Sequence, residues 1–495
     1  MSQEAVYLSK TERMARAVFS VERACKISQA LFWISLLAVY PVIINPFGVG
    51  PQSTGSFHAF TMPKIIALSI TWLIGLVGTL LAYSDFDLKS TPYRLLRAPS
   101  GIQAYVGFLV TMCVTAFLTP NSLGFVLLGR EPRFDGVLVQ LLWYSLPLLA
   151  FASALRSRLS RRFPLIAAEV GGGLVAIWMS LQGFGLEPLE LLNPAIVVAG
   201  RPSASLWHPA LATAWVAGVL ILSATWTVLR GRIHAWRIGL VFVLTMAVFF
   251  GGGRAAIIGA LLAWILVAGI GCVKGQGGRR RLVVLISTIM MAGALTAIWS
   301  SAASRSQITS LTEASRGQDR SFSSRLITWQ VGLTALAARP LTGFGPGFFS
   351  EAVWNYASPE QEKKLYLEFF PARLIDDVFR AGTLLTAYDD EAGRMVMIQA
   401  NYDKAHNYLL DLALANGLPA LLLFLASVVL LLRPVMRAPS IEALAISASL
   451  LTFAIFAQAW FATFNLDPMF LGLAGLAAGT SHRELGRKRL AEEAV

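Results

Sequence analysis

Ala405-His406-Asn407-Tyr408-Leu409-Leu410 marks the point where residues 300–406, the one long polar stretch of the chain, give way to an apolar run that continues to Leu431. An imidazole at such a boundary sits where water meets a segment too apolar to be solvated. The same contrast runs through all 495 residues: 56% are hydrophobic, 14% are charged, and the mean hydropathy is +0.62. A bilayer core about 30 Å thick takes about 20 apolar residues per helical span. Such windows fall at 28–45, 64–83, 102–118, 137–155, 164–182, 206–229, 237–250, 254–273, 281–299, 407–431, 441–464 and 466–480, of which the seventh and twelfth are short. The runs are continuous and lack the polar alternation of a lumen-facing strand, so they predict an all-α polytopic membrane protein of about twelve helices.

The net charge of +13 points to sidedness and not to nucleic acid. Of 41 Lys and Arg residues, 25 fall in seven segments on one side, including Arg156, Arg158, Arg161 and Arg162 after the fourth helix and Arg279-Arg280-Arg281 before the ninth. The other side holds 11 in the long polar segment and otherwise Lys64, Arg130, Arg133, Arg201 and Arg254. The positive-inside rule then makes both termini cytoplasmic and places residues 300–406, with His406, outside. The resulting organisation is a basic segment 1–27, helices one to nine over 28–299, an external segment 300–406, helices ten to twelve over 407–480 and a tail 481–495. Residues 1–27 read either as a basic amphipathic helix on anionic lipid or as a solvated tail. The first apolar run lacks a small-residue cleavage pattern and is read as retained. Cys25, Cys113 and Cys272 imply neither a disulfide framework nor a metal site by their spacing.

The external segment has 11 basic and 12 acidic residues, a balance that suits a structured lid. Ser323 or Ser324 can cap a helix running to Ala338, with Leu326, Ile327, Leu333 and Leu336 at helical spacing, and Pro340 stops it. Gly343-Phe344-Gly345-Pro346-Gly347-Phe348-Phe349 predicts a tight turn with close backbone approach and aromatics at the lipid interface. A second helix is expected between Pro359 and Arg380, kinked by Pro371.

Several external cations have no topological reason to be where they are. Arg254 follows Gly251-Gly252-Gly253 and opens a helix, so its guanidinium and the first helical amides can face one anion, with pyrophosphate the natural choice. Arg130 and Arg133 lie among Glu131 and Asp135, which can neutralise them, and Lys64 opens the second helix. A snorkelling interfacial cation is the competing reading for each. The site reading is preferred for Arg254, the two are balanced for Arg133, and snorkelling is preferred for Arg130 and Arg201. His406 is a candidate general base: an ordinary imidazole accepts a proton near neutral pH, Asp403 can orient it if the helix has begun by then, and Asn407 is a neighbouring donor. His234 and His482 fall on the cytoplasmic side, and His58 and His208 lack a comparable setting.

His406-Asn407-Tyr408-Leu409 through Asn416-Gly417-Leu418, the Gly343–Gly347 turn preceded by Arg325 and Trp329, and Gly253-Arg254 at a helix start together resemble the O-antigen ligase and O-antigen polymerase superfamily. The chain departs from that pattern at Arg339, at Leu418-Pro419-Ala420 and in 201–209, which lacks the family's asparagines. The resemblance implies a GT-C-like membrane glycosyltransferase of the bacterial inner membrane. It would move glycan from an undecaprenyl pyrophosphate carrier to a hydroxyl of glycan, lipid A core or another acceptor on the periplasmic side, with inversion and without a metal or other cofactor. His406 would be the essential histidine, Arg254 the pyrophosphate-contacting arginine helped by Arg133 or Lys64, and Arg325, Asp403, Asn407 and Arg130 would give support. A protein O-oligosaccharyltransferase of the same superfamily is the alternative. A transporter or flippase of lipid-linked glycan is the rival from another class, and two similar halves with broken helices would mark it.

Overall fold

A computed structural model of the protein describes residues 10–46, 57–83, 99–119, 122–129, 135–157, 159–190, 201–206, 208–230, 233–273, 275–299, 320–347, 349–367, 370, 372–381, 384–389, 391, 393–399, 404–437 and 440–493. Helix covers each of the twelve apolar stretches at least in part: α1 (Lys10–Trp33, continuing as a π-helical turn over Ile34–Val39), α2 (Met62–Ala82), α3 (Ser100–Phe117), a short α4 (Leu123–Leu128), α5 (Val137–Tyr144), α6 (Leu146–Leu155), α7 (Phe163–Gly183), α8 (Pro209–Arg230), α9 (Ala235–Gly251), α10 (Arg254–Val273) and α11 (Gly275–Trp299). After the external segment come α15 (Tyr408–Arg437), α16 (Ile441–Ala457) and α17 (Asp467–Glu493). Among the described residues, seven helices are long and apolar enough to cross a membrane, and three more are apolar but shorter. From Lys10 the basic segment is already helix continuous with the first apolar stretch, and α17 runs through most of the tail.

The hub is α8, in which every residue from Leu211 to Leu229 is buried, against α7, α9, α10 and α16. Close crossings need small residues: a Cβ on Gly259 of α10 would stand 2.6 Å from the Thr452 carbonyl oxygen of α16, and one on Gly475 of α17 2.3 Å from that of Pro147. At the end of the bundle where α8 finishes, Arg237 meets Glu169 at 3.2 Å while Ser223 donates to the same carboxylate at 2.9 Å. That arginine, counted from sequence among the cytoplasmic cations, is buried in an ion pair.

The segment that the sequence reading expects to be external folds around a second core, which it shares with Ala413 and Leu414 of α15. It contains α12 (Arg320–Ala338), which begins ahead of the expected serine caps, then α13 (Phe349–Tyr356) and α14 (Pro359–Tyr366). A Ser358–Gln361 capping box starts α14. The single helix expected between Pro359 and Arg380 is not formed. It ends at Tyr366, a 3-10 turn spans Ala372–Asp377, and an antiparallel sheet follows in the order β1 (Phe379–Ala381), β2 (Leu384–Asp389), β3 (Arg394–Gln399). Buried Leu385 and Ala387 alternate with Leu384, Thr386 and Tyr388, a period of two that helical reading overlooks. The all-α expectation is corrected to mostly helical with this small sheet. The turn aromatics are also corrected: Phe344 and Phe349 are buried in the external core with Val331, Ala335 and Val353, not spread on lipid.

Backbone bookkeeping explains how the external segment docks. Helix α15 is interrupted at Gly417 (φ 79°, ψ 167°), and Pro419 has no amide to give the Ala415 carbonyl. The carbonyl oxygens of Leu414 and Ala415 accept instead from the amides of Phe344 (2.7 Å) and Gly345 (3.0 Å), while the Leu418 amide donates to Pro340 (2.7 Å). Gly417 is confined by the turn it receives: a Cβ there would be 2.1 Å from the Leu341 carbonyl oxygen. Gly417→Ala should therefore lower stability by at least about 2 kcal/mol and expose residues 320–399 to protease, from left-handed strain plus the clash. Gly185→Ala is the control, with φ +84° but nothing within 4 Å, and should cost about 1 kcal/mol. Equal melting temperatures and cleavage rates for the two variants would contradict the docking role.

Candidate active site

His406 stands two residues before α15 begins, so the ring is carried by the lead-in peptide and not by the helix. Asn407 caps the helix: its Oδ1 accepts the Leu410 amide at 3.0 Å and its Nδ2 donates to the Gln458 carbonyl at 3.2 Å. His406 has φ +55°, a left-handed conformation that costs a non-glycine residue about 1–2 kcal/mol. The flanking peptide is fixed on several sides. Asp411 Oδ1 accepts the Ala405 amide at 2.7 Å, and the Trp329 indole of α12 donates to the Ala405 carbonyl at 2.8 Å. The ammonium of Lys404 pairs with the Asp135 carboxylate, both side chains being almost fully buried. The imidazole meets Phe461 and Trp460 edge-on, with ring centres 5.2 and 5.6 Å apart. Its Nδ1 lies 3.2 Å from the Lys404 carbonyl oxygen, an acceptor only, so Nδ1 carries the proton and Nε2 the lone pair.

Asp135 links this peptide to a second loop. A Cβ on Gly129 would be 2.4 Å from the Gly136 amide nitrogen, so the base of the loop is pinched shut, and Gln140 Nε2 holds the Asp135 carbonyl at 2.8 Å. Arg130, Arg133 and Asp403 lie outside the described residues. Asp135 itself neutralises Lys404, a use that its neighbourhood in sequence does not suggest. Lys404 and Asp411 also line a small cleft with Phe344, Gly345, Gly347 and Phe349.

Arg254 opens α10 after the left-handed Gly252 (φ +57°) ends α9, so only Gly252 and Gly253 separate the two helices. Arg201 reaches this turn, donating to the Gly252 carbonyl at 3.4 Å. Desolvation, and then the Arg254 guanidinium nearby, hold the Arg201 pKa below its usual range. Two cations thus share one helix N-terminus, the arrangement an anion of two or more charges would stabilise. Gly251 and Gly253 pack on Thr213, one turn into α8, the helix that starts just after His208. The His208 ring lies 4.7 Å from Trp460, the indole that also meets His406. The Arg254 turn and His406 are therefore at the same end of the bundle, linked through α8 and Trp460.

Lys64 is elsewhere in purpose. It is fully buried, its ammonium donating to the carbonyls of Tyr40 (2.9 Å) and Ile43 (3.4 Å) at the end of the first helix. The ammonium is thus committed to backbone oxygens, and the expected help to Arg254 is corrected to a structural capping role. Arg325 is one turn before Trp329 on α12, at the i, i+4 spacing that places the two on one face of the helix.

Residues 238–372 match the family model described as O-antigen ligase. Over that stretch the chain is similar to the O-antigen ligases, and its helices are long and apolar enough to make it an integral membrane protein. No curated protein matches the chain. The matched stretch includes Arg254, Arg325, Trp329 and the Gly343–Gly347 turn. His406 lies beyond its matched end but is hydrogen-bonded into it through Ala405 and Trp329.

Sequence reading missed Asp135, Lys404, Asp411, His208 and Trp460. The pairings that matter there span 269 residues for Lys404–Asp135, and no local pattern announces them. Asp135→Asn leaves a buried ammonium without its partner and should lower stability by about 3 kcal/mol. The exchanged pair Asp135→Lys with Lys404→Asp should recover part of that loss. A double-mutant cycle on thermal unfolding that gives no coupling would remove the pair from this role.

Proposed function

We propose that the protein transfers glycan from a polyprenyl pyrophosphate carrier, undecaprenyl pyrophosphate, to an acceptor hydroxyl at the external end of the helix bundle. The carrier diphosphate binds Arg254 and Arg201 at the start of α10. His406 takes the proton of the acceptor hydroxyl at Nε2, and that oxygen attacks the anomeric carbon in line with the departing diphosphate, which inverts the carbon. The oxygen–carbon bond forms as the carbon–phosphate oxygen bond breaks, the electron pair leaving with the diphosphate. Paired guanidinium groups neutralise the charge that develops on it. The single observation that carries this reading is the 3.2 Å contact of His406 Nδ1 with the Lys404 carbonyl oxygen, which suits Nε2 to accept a proton, at the end of the bundle that also holds the two arginines. The external core around the Gly343–Gly347 turn supports a role in admitting the acceptor, and glycan, lipid A core and protein hydroxyls differ in what that segment must accommodate.

Purified protein in nanodiscs, given a lipid-linked oligosaccharide and candidate acceptors, should yield glycosylated product and free polyprenyl pyrophosphate. His406→Ala should reduce turnover by about 10²- to 10⁴-fold, the range for a positioned base, with unchanged membrane insertion. Arg254→Lys should lose roughly tenfold or more, because a point charge replaces a bidentate fork. Full turnover by His406→Ala would reject the base assignment, and transport of lipid-linked glycan without bond cleavage would reject the reaction.

A further inference from the structure

The two imidazoles around Trp460 are held in opposite tautomers. Nδ1 of His406 faces a carbonyl oxygen, which only accepts, so its lone pair is at Nε2. Nδ1 of His208 receives the Ala210 amide at 3.1 Å, which only donates, so its proton is at Nε2. One ring is set to take a proton and the other to give a hydrogen bond, and both contact the same indole. That indole is 8% exposed, and its N–H meets no acceptor among the described residues. His208 is half-buried at the start of α8, and the glycine turn before Arg254 packs on Thr213, one turn into that helix.

We infer that His208 is a second catalytic histidine, donating from Nε2–H to the oxygen of the departing phosphate while His406 deprotonates the acceptor. This rests on the glycosyl transfer proposed above. The proton stays on His208: the hydrogen bond strengthens as the carbon–oxygen bond breaks and charge gathers on the leaving oxygen. Protonating His208 would sacrifice its bond to Ala210, so the ring works as a neutral donor. An uncharged donor at the same end of the bundle as Arg201 and Arg254 adds affinity for the developing charge without a third cation to be repelled by the first two.

The competing explanation is that His208 merely caps α8, and two substitutions separate the roles. Asn and Asp both cap through an oxygen, but only Asn has an N–H to donate. His208→Asn should keep turnover within about fivefold of wild type. His208→Asp should lose about 10²-fold or more with the same melting temperature as His208→Asn. Equal turnover in the two variants, whether high or low, would overturn the donor role.

Should either variant fail to fold, the wild-type protein carries the test. In ¹⁵N-histidine-labelled protein the His208 Nε2–H resonance should move downfield on titration with farnesyl pyrophosphate, and should do so equally in His406→Ala, which keeps the diphosphate site. An unmoved resonance at saturation would overturn the inference. Absence of glycan transfer by wild type with that shift intact would instead reject the reaction and leave His208 as a diphosphate ligand.

Discussion

The peptide from Lys404 to His406 is held in a left-handed turn that histidine does not adopt unaided, and the candidate chemistry depends on that restraint. Its cost is offset by the Asp411 carboxylate on the Ala405 amide, the Trp329 indole on the Ala405 carbonyl and the Lys404–Asp135 pair. These partners come from α15, α12 and the loop before α5, so the imidazole orientation is a property of the whole external end. The same peptide supplies the carbonyl that selects the His406 tautomer. Loosening it would alter ring position and proton placement together.

The docking of the external core follows from an interrupted helix. Gly417 and Pro419 leave two α15 carbonyls without their usual amides, and the Gly343–Gly347 turn supplies replacements. A helix break that would be a defect in lipid becomes an attachment point where protein covers it. Trp329, on the helix preceding that turn, is thereby brought to the Ala405 carbonyl. Two of the motifs that resemble O-antigen ligases in sequence, the Gly343–Gly347 turn and the stretch around Gly417, are joined backbone to backbone, and Trp329 ties the His406 peptide to them through the Ala405 carbonyl.

Much of the helical framework was legible because apolar runs leave no other solution in lipid, and the Gly343–Gly347 turn was legible because glycines there permit contacts that a Cβ forbids. What escaped depended on distant partners. Lys64 looks like an interfacial cation until the burial of its ammonium among the Tyr40 and Ile43 carbonyls is visible. Asp135 looks like a neutraliser of Arg130 and Arg133, yet it pairs with a lysine far along the chain. Residues 379–399 carry a period of two too short and too polar to stand out in a helical chain. Arg201 was read as a snorkelling cation because nothing local revealed its proximity to Arg254, and His208 was set aside as lacking a suitable setting because nothing local revealed Trp460.

The most direct test is a cryo-electron microscopy structure of the wild-type protein in nanodiscs with undecaprenyl pyrophosphate bound. The diphosphate should rest against Arg201 and Arg254, with the leaving oxygen turned toward the space between His208 and His406. A diphosphate at the opposite end of the bundle, near Arg237, or one separated from His406 by packed helices, would contradict a shared site for the base and the carrier.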